Sequence, residues 1–428
     1  MNAIGTEFEP AATTRRPHWP DLPEPAAGRA RPLIARALIR AATGRLPIRV
    51  ELPDGAVFGA GGQGTPTVEV RDVDAFFGRI GTGTAGFAES YMAGDWDCDD
   101  LPGLFSILAG HVHHLLPAPL RALRRLYVPR KPAEEDDTVE GARRNIARHY
   151  DLSNDFFGLF LDPTMTYSSA LFGPGDDLER AQIRKIDRLL DLTGTGPGTR
   201  LLEIGTGWGA LALRAAGRGA TVTTVTNSAA QWQLARSRAT DAGLTDRIEA
   251  RLCDYREITG VYDAVVSVEM VEAVGLSYLP GYFALIDRVL VRDGRAAVQA
   301  ITMPHQQLVA TAGGQSWIHQ YIFPGGQIPS RQVLDHALAG TSLRISSEFA
   351  MGPHYASTLA WWRDQFAKAE SEVLRLGFGP AFVRMWDLYL AYSCGGFLAG
   401  YLNVWQLGLR RPGEHRQARV GRISTKLR

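Results

Sequence analysis

The chain has little cysteine: Cys98, Cys253 and Cys394 are the only three in 428 residues. They are far apart, odd in number and in no metal-ligand spacing. This argues against a disulfide framework or a zinc site, leaves no metal to expect, and fits a reducing cytoplasm. A charge excess is also missing. Lys+Arg number 46 and Asp+Glu 45, for a formal charge of +1, which argues against a general nucleic-acid binder. No run of about 18 apolar residues occurs, so no transmembrane helix is expected. The opening MNAIGTEFEP is acidic and polar, where a signal peptide is basic and then apolar; the protein is expected to stay inside the cell. There is no internal repeat. What remains is globular in composition, 45% hydrophobic and 21% charged, and long enough for two or three domains with a sizeable core.

Residues 1–30 carry many Pro and Ala with little periodicity and read as a disordered tail. Residues 31–125 read as a small α+β domain. It opens with a stretch of apolar residues at helical spacing, with arginines between them, over 31–45. That stretch is either an ordinary amphipathic helix or one lying on an anionic membrane surface. Short alternating segments follow around the turn signal Pro53-Asp54-Gly55, and then helices over 72–81 and 101–116. Residues 126–140 mix Pro with a block of acids and read as a linker. From 141 to 411 helical segments alternate with five β-branched runs, which predicts an α/β, doubly wound Rossmann-like sheet with helices on both faces. Beyond about 304 the pattern is mainly helical and rich in aromatics. Residues 412–428 form a basic tail. Counted from Arg410, it holds seven basic residues with Glu414 as the only acid, a composition attracted to anionic headgroups by about 1 kcal/mol per residue near the surface.

The sharpest local signal is Glu203-Ile204-Gly205-Thr206-Gly207-Trp208-Gly209, an apolar strand running into a glycine loop and then a helix. Glycines let the backbone turn tightly and approach a ligand. The spacing is not that of a dinucleotide loop, and the second strand ends in Thr226-Asn227-Ser228 without the acid an NAD site uses. Glu203 beside the loop suits a ligand carrying an ammonium group and would repel a pyrophosphate. S-adenosylmethionine has such a group. Asp254, at the end of a third strand, is placed either to accept from an adenine amino group or to cap a helix.

Other blocks carry a resemblance. His149-Tyr150-Asp151-Leu152-Ser153-Asn154, Leu161 through Ala170, the glycine loop, Glu269-Met270-Val271-Glu272, Tyr321 through Gly326, and His354-Tyr355 resemble, in order, the cyclopropane-fatty-acyl-phospholipid synthase family. Residues 86–96 resemble the smaller leading domain of its full-length members. Within that family the wording of 166–172 and 90–96 resembles the actinobacterial methyltransferases of tuberculostearic acid synthesis.

The resemblance implies S-adenosylmethionine as methyl donor and an unsaturated, oleoyl phospholipid of the membrane as acceptor. It implies Tyr167 and Ser168 at the donor's amino-acid end, Glu203, Gly205 and Gly207 along its backbone side, Thr226 and Gln231 near the ribose and Asp254 near the adenine. It also implies a bicarbonate ion as proton acceptor, held in the family by a Cys, a Glu, a His and a Tyr. Here Glu272 and Tyr355 match, while Ser169 and Gln299 stand at the Cys and His positions. Glu272 is expected to organise the base with Tyr355 orienting it, and Glu269 is read as structural. Ser169 and Gln299 are expected to delay deprotonation, favouring a methylene branch over a cyclopropane ring. Aromatics such as Phe156, Phe157, Trp317, Tyr321, Phe323, Trp361 and Trp362 are candidates for an acceptor tunnel, or for plain core. A flavin- or NADPH-dependent reductase is expected downstream, and a homodimer is expected through the N-terminal domain. The competing reading of another class is a small-molecule methyltransferase or an inactive lipid-binding protein.

Overall fold

The structure, a computed structural model, describes residues 20–25, 30–80, 84–112, 138, 140–141 and 152–412. The expected tail over 1–30, the linker over 126–140 and the basic tail over 412–428 therefore lie almost wholly outside the described residues.

The N-terminal unit begins with the helix Ala30–Thr43. Strands β1 (Arg49–Glu51), β2 (Val57–Phe58), β3 (Thr67–Val70) and β4 (Trp96–Cys98) follow, in the sheet order β2-β1-β3-β4. The turn between β1 and β2 closes through Gly55 N–H to the Leu52 carbonyl at 2.9 Å, with Gly55 at φ 82°. Helices Val73–Ile80, Thr84–Met92 and Leu101–Gly110 complete the unit.

The larger sheet contains β5 (Arg200–Ile204), β6 (Thr221–Thr226), β7 (Ile248–Leu252), β8 (Tyr262–Val268) and β9 (Leu290–Thr302), all parallel, in the order β9-β8-β5-β6-β7. These are the five runs expected from the sequence. Alternate residues feed opposite faces, as a strand's period of two requires. Leu202, Val265 and Val298 enter one core cluster, and Leu201, Ala264 and Val266 the other. The region beyond 304 is mainly helical, as expected, but not wholly so. It adds β10 (Arg344–Ala350) and β11 (Asn403–Arg410). β11 is inserted antiparallel between β9 and β10; β11 does not alternate in burial, and β10, which does, is a single short run among long helices.

The N-terminal unit does not have a core of its own. Val50, Phe76, Trp96 and Phe105 belong to one apolar cluster with Phe156, Trp362, Trp386 and Phe397. Helix Leu101–Gly110 lies against helix Pro380–Leu398 at Gly395, where a Cβ would come within 2.5 Å of the Phe105 Cβ. Polar contacts fix the same junction. Tyr91 donates to Asp387 at 2.9 Å, Tyr321 donates to Glu89 at 2.9 Å, and the Arg384 guanidinium lies 4.0 Å from the Tyr91 ring centre. Arg411, counted with the basic tail in the sequence, is instead anchored to Asp287 at 2.8 Å and to the Val291 carbonyl.

Candidate active site

A cleft opens at the C-terminal edge of β5, β6 and β8, where ligands enter an open parallel sheet. It is lined by Tyr167, Ser168, Lys185, Glu203, Gly205, Gly207, Thr226, Gln231 and Glu269, among others. Seven of the eight expected donor residues therefore share one cavity wall. Gly205, at φ 97°, turns the loop, and a Cβ there would lie 2.5 Å from Met270 Cγ. Thr226 donates to Gln231 at 2.8 Å, so the pair at the end of β6 holds itself in place.

Asp254 is the exception. Its side chain is fully buried behind the wall, and its oxygens accept from Arg256 Nε at 2.7 Å and Asn227 Nδ2 at 3.3 Å. Burial works against ionisation, but the Arg256 hydrogen bonds hold its carboxyl below its ordinary value. It also caps the turn Tyr255–Glu257. Its neighbours Cys253 and Tyr255 line the cleft in its place.

One residue facing the cleft was missed from the sequence. Helix Leu178–Thr193, capped by Asp177 and ended by Gly194 in the left-handed region, turns Gln182 and Lys185 inward. Gln182 donates to the Thr166 and Ser168 carbonyls at 3.2 and 2.9 Å, and Lys185 donates to Ser168 Oγ at 2.6 Å. Lys185 is 1% exposed. Burial drives its ammonium down to about 8, against the pull of Glu269, Asp162 and Glu203. The available signal was two polar residues on the apolar stripe of an otherwise regular amphipathic helix. On β5, Glu203 is equally buried, with Oε2 lacking a hydrogen-bond partner, and burial pushes its carboxyl up to about 8. A buried ammonium and a buried carboxyl, both short of partners on one wall, are complementary to the α-amino-acid zwitterion of S-adenosylmethionine.

The four expected catalytic residues lie deeper, and three of them meet at Glu269. Its carboxylate accepts from Ser169 N–H at 2.9 Å, Gln299 Nε2 at 2.8 Å and Tyr355 OH at 3.1 Å. Gln406, paired with Gln299 across β9 and β11, donates to Gln299 Oε1 at 2.9 Å and fixes which end of that amide faces Glu269. Glu272 stands apart. One oxygen accepts from the Ile301 N–H and the other has no partner. Burial first, and the charge on Glu269 second, push its carboxyl up to about 8. Ser169 Oγ is turned to the Ala170 carbonyl at 3.1 Å.

This donor set does not fit a bicarbonate ion. The N–H and O–H groups that would hold an anion already converge on Glu269, and the orphaned atom is a carboxyl oxygen. Among the aromatic candidates, Phe156, Phe157 and Trp362 are fully buried in the main cluster. Phe156 meets Trp386 at 4.9 Å and Phe382 at 5.3 Å between ring centres. They back the site rather than line it. Tyr167 joins the two layers, its hydroxyl 2.9 Å from that of Tyr389 and its ring 5.1 Å from Trp362.

Comparison with known proteins bears on this arrangement. Residues 138–407 match the family described as mycolic acid cyclopropane synthetase. A tuberculostearic acid methyltransferase of Mycobacterium tuberculosis is 45% identical over 96% of this chain and 99% of its own length. The cyclopropane-fatty-acyl-phospholipid synthase of Escherichia coli is 32% identical over 85% of this chain and 93% of its own. Among solved structures, a cyclopropane synthase from Mycobacterium tuberculosis superposes with a TM-score of 0.58 at 34% identity, covering 62% of this chain and 97% of that one. A mycolic acid cyclopropane synthase complexed with SAH and CTAB superposes with a TM-score of 0.59 at 29% identity, covering 66% of this chain and 99% of that one.

Proposed function

The chain belongs to the mycolic acid cyclopropane synthetase family and is an S-adenosylmethionine-dependent C-methyltransferase of unsaturated fatty acyl chains, and on that premise we propose that its acceptor is an oleoyl phospholipid and its product the 10-methylene-branched chain, the precursor of tuberculostearic acid. The end-to-end likeness to the tuberculostearic acid methyltransferase carries this reading. Bound S-adenosylmethionine supplies an electrophilic methyl group on a sulfonium.

The chain's own residues do the rest. Lys185, with Ser168, receives the donor's carboxylate, and Glu203 its ammonium. The bare backbone at Gly205 admits close approach, and Thr226 with Gln231 borders the ribose. An isolated alkene is a weak nucleophile, so it must be held in line with the methyl group. Methylation leaves a carbocation on the neighbouring carbon, which water would capture. The aromatic layer behind Tyr167 keeps water out, and a ring face favours a cation by about 0.5–2 kcal/mol. The hydrogen bonds from Gln299 and from Ser169 N–H restrain the carboxylate at Glu269, which gives a hydride shift time to precede proton loss.

We further propose that the lipid is reached from the inner face of the membrane and that the protein is peripheral there. Helix Ala30–Thr43 exposes Leu33 and Ile34 beside Arg36 and Arg40, and among the described residues no helix is long and apolar enough to cross a membrane. A separate reductase would saturate the branch, and a homodimer through the N-terminal unit is part of the same proposal.

Turnover with S-adenosylmethionine and dioleoyl phospholipid, read by proton NMR, tests the function. Vinylidene proton signals are expected. Upfield ring signals would make the protein a cyclopropane synthase, the reading that the likeness to the E. coli enzyme supports. No acyl product at all would reopen a small-molecule acceptor. Gln299→His, which replaces the side-chain donor and leaves the Ser169 N–H in place, is expected to shift product towards the ring, and an unchanged product would remove Gln299 from product control.

A further inference from the structure

We propose that Glu269 is the catalytic base of this enzyme, a carboxylate carried by the chain itself in place of a bound bicarbonate ion. The inference rests on the acyl-methylating activity proposed above. Three observations carry it.

The first is convergence. Ser169 N–H, Gln299 Nε2 and Tyr355 OH come from the 166–170 segment, β9 and helix Gly352–Lys368, and all three donate to one carboxylate. Three of the four positions from which a bicarbonate ion was expected to be held thus hold Glu269 instead. The second is backbone conformation. Glu269 sits at φ 50°, one of three non-glycine residues of the described chain with positive φ. A long side chain is uncommon there, and such strain persists only where surrounding contacts over-determine it. The third is position. Glu269 lines the donor cleft at the end of β8, beside the glycine loop, so its carboxylate borders the space in which the methyl group is delivered.

Glu272 is the contrasting carboxyl three residues on, with one backbone donor and one bare oxygen. Two nearby carboxyls in such unlike surroundings separate into an ionised and a neutral member. Burial raises both. The Lys185 charge and three donors oppose that at Glu269, while the charge on Glu269 adds to it at Glu272. Glu269 is therefore the better placed of the two to carry a negative charge.

The step balances as follows. The alkene π pair forms the new C–C bond as the S–CH3 bond breaks, and that bond's electrons return to sulfur. A hydride moves from the methylated carbon to its cationic neighbour, leaving the cation at the branch point. A C–H bond of the new methyl group then breaks. Its electron pair becomes the C=C bond of the methylene branch, and the proton goes to the Glu269 carboxylate. No further reactant is required.

The test uses the full chain, freed of carbonate under argon, with S-adenosylmethionine and dioleoyl phospholipid vesicles. The unmodified enzyme is expected to turn over at the same rate with and without added bicarbonate. Glu269→Gly relieves the backbone at φ 50° and empties the donor cluster. It is expected to lose about 100-fold or more in rate, to keep its affinity for S-adenosylhomocysteine by calorimetry, and to recover activity when bicarbonate is added. Glu269→Gln fills the same space and is expected to stay inactive with bicarbonate. A several-fold loss by the unmodified enzyme on removing bicarbonate would overturn the proposal without any variant having to fold. So would a fast Glu269→Gly enzyme in carbonate-free buffer. No product from the unmodified enzyme under either condition would overturn the acyl-methylation reading, and this inference with it.

Discussion

The donor cleft and the aromatic layer behind it meet at Tyr167, yet they are built on opposite terms. In the aromatic layer Phe156, Phe157, Phe160, Trp362, Phe382 and Trp386 are fully buried, and most meet edge to face. Apolar surface there is matched with apolar surface. Along the cleft and just behind it, Lys185, Glu203 and Glu272 are taken out of water with few partners, and Glu269 only with three donors gathered on it. Uncompensated burial of polar groups is costly. A fold retains it where a ligand or a reaction step completes the set. The first region stabilises the protein, and the second holds its chemistry in readiness.

Variants should separate the two. The largest effect is expected from Phe156→Ala, which removes a fully buried ring and should cost about 3–5 kcal/mol of stability. Differential scanning calorimetry would show it, with the folded fraction still binding S-adenosylhomocysteine normally. Lys185→Met should do the reverse. It should weaken S-adenosylhomocysteine by about 10- to 100-fold, the loss of a charge-assisted hydrogen bond, while the melting temperature holds or rises. A melting temperature that fell with affinity unchanged would make Lys185 a structural residue and break the comparison.

A smaller effect concerns pH. Glu203 is raised to about 8 in the folded protein from 4.5. The folded state thus keeps a proton that the unfolded chain releases, and this contribution to stability is full below about pH 4.5 and lost as pH rises to about 8. Glu203→Gln is therefore expected to gain on the unmodified protein across that window, by up to about 1.4 kcal/mol for each pH unit, in melts without donor. A constant difference from pH 5 to 8 would mean that Glu203 is not the titrating group. Least affected should be Asp254→Asn. Because Arg256 and Asn227 occupy its oxygens, donor affinity should change by less than about threefold, about 0.7 kcal/mol. A larger loss would return it to the adenine site.

Much of this was legible in the sequence because its signals were local. The strand-loop-helix around Glu203, Gly205 and Gly207 states its own geometry, and the five parallel strands announce themselves as β-branched runs. Strands β10 and β11 were missed because each is a short run among helices and their partners lie far away in the chain. Lys185 was hidden because a lysine in a helix is ordinarily solvated, and only the packing of helix Leu178–Thr193 under residues 166–168 turns it inward. Glu269 and Glu272 look alike in a string of four residues. Nothing in that string says which carboxyl receives three donors.

The sequence by itself determined the fold class, the donor and the chemical family. Each is written in contiguous residues whose backbone requirements and charge can be read one segment at a time. The tertiary structure alone decided which acid gathers three hydrogen bonds and which lysine faces the methyl donor. It alone also joined the N-terminal unit to the catalytic core. Those outcomes depend on burial and on hydrogen bonds between residues a hundred or more positions apart, such as Ser169 with Glu269 and Glu89 with Tyr321. A local pattern carries no record of what the folded chain will bring to it.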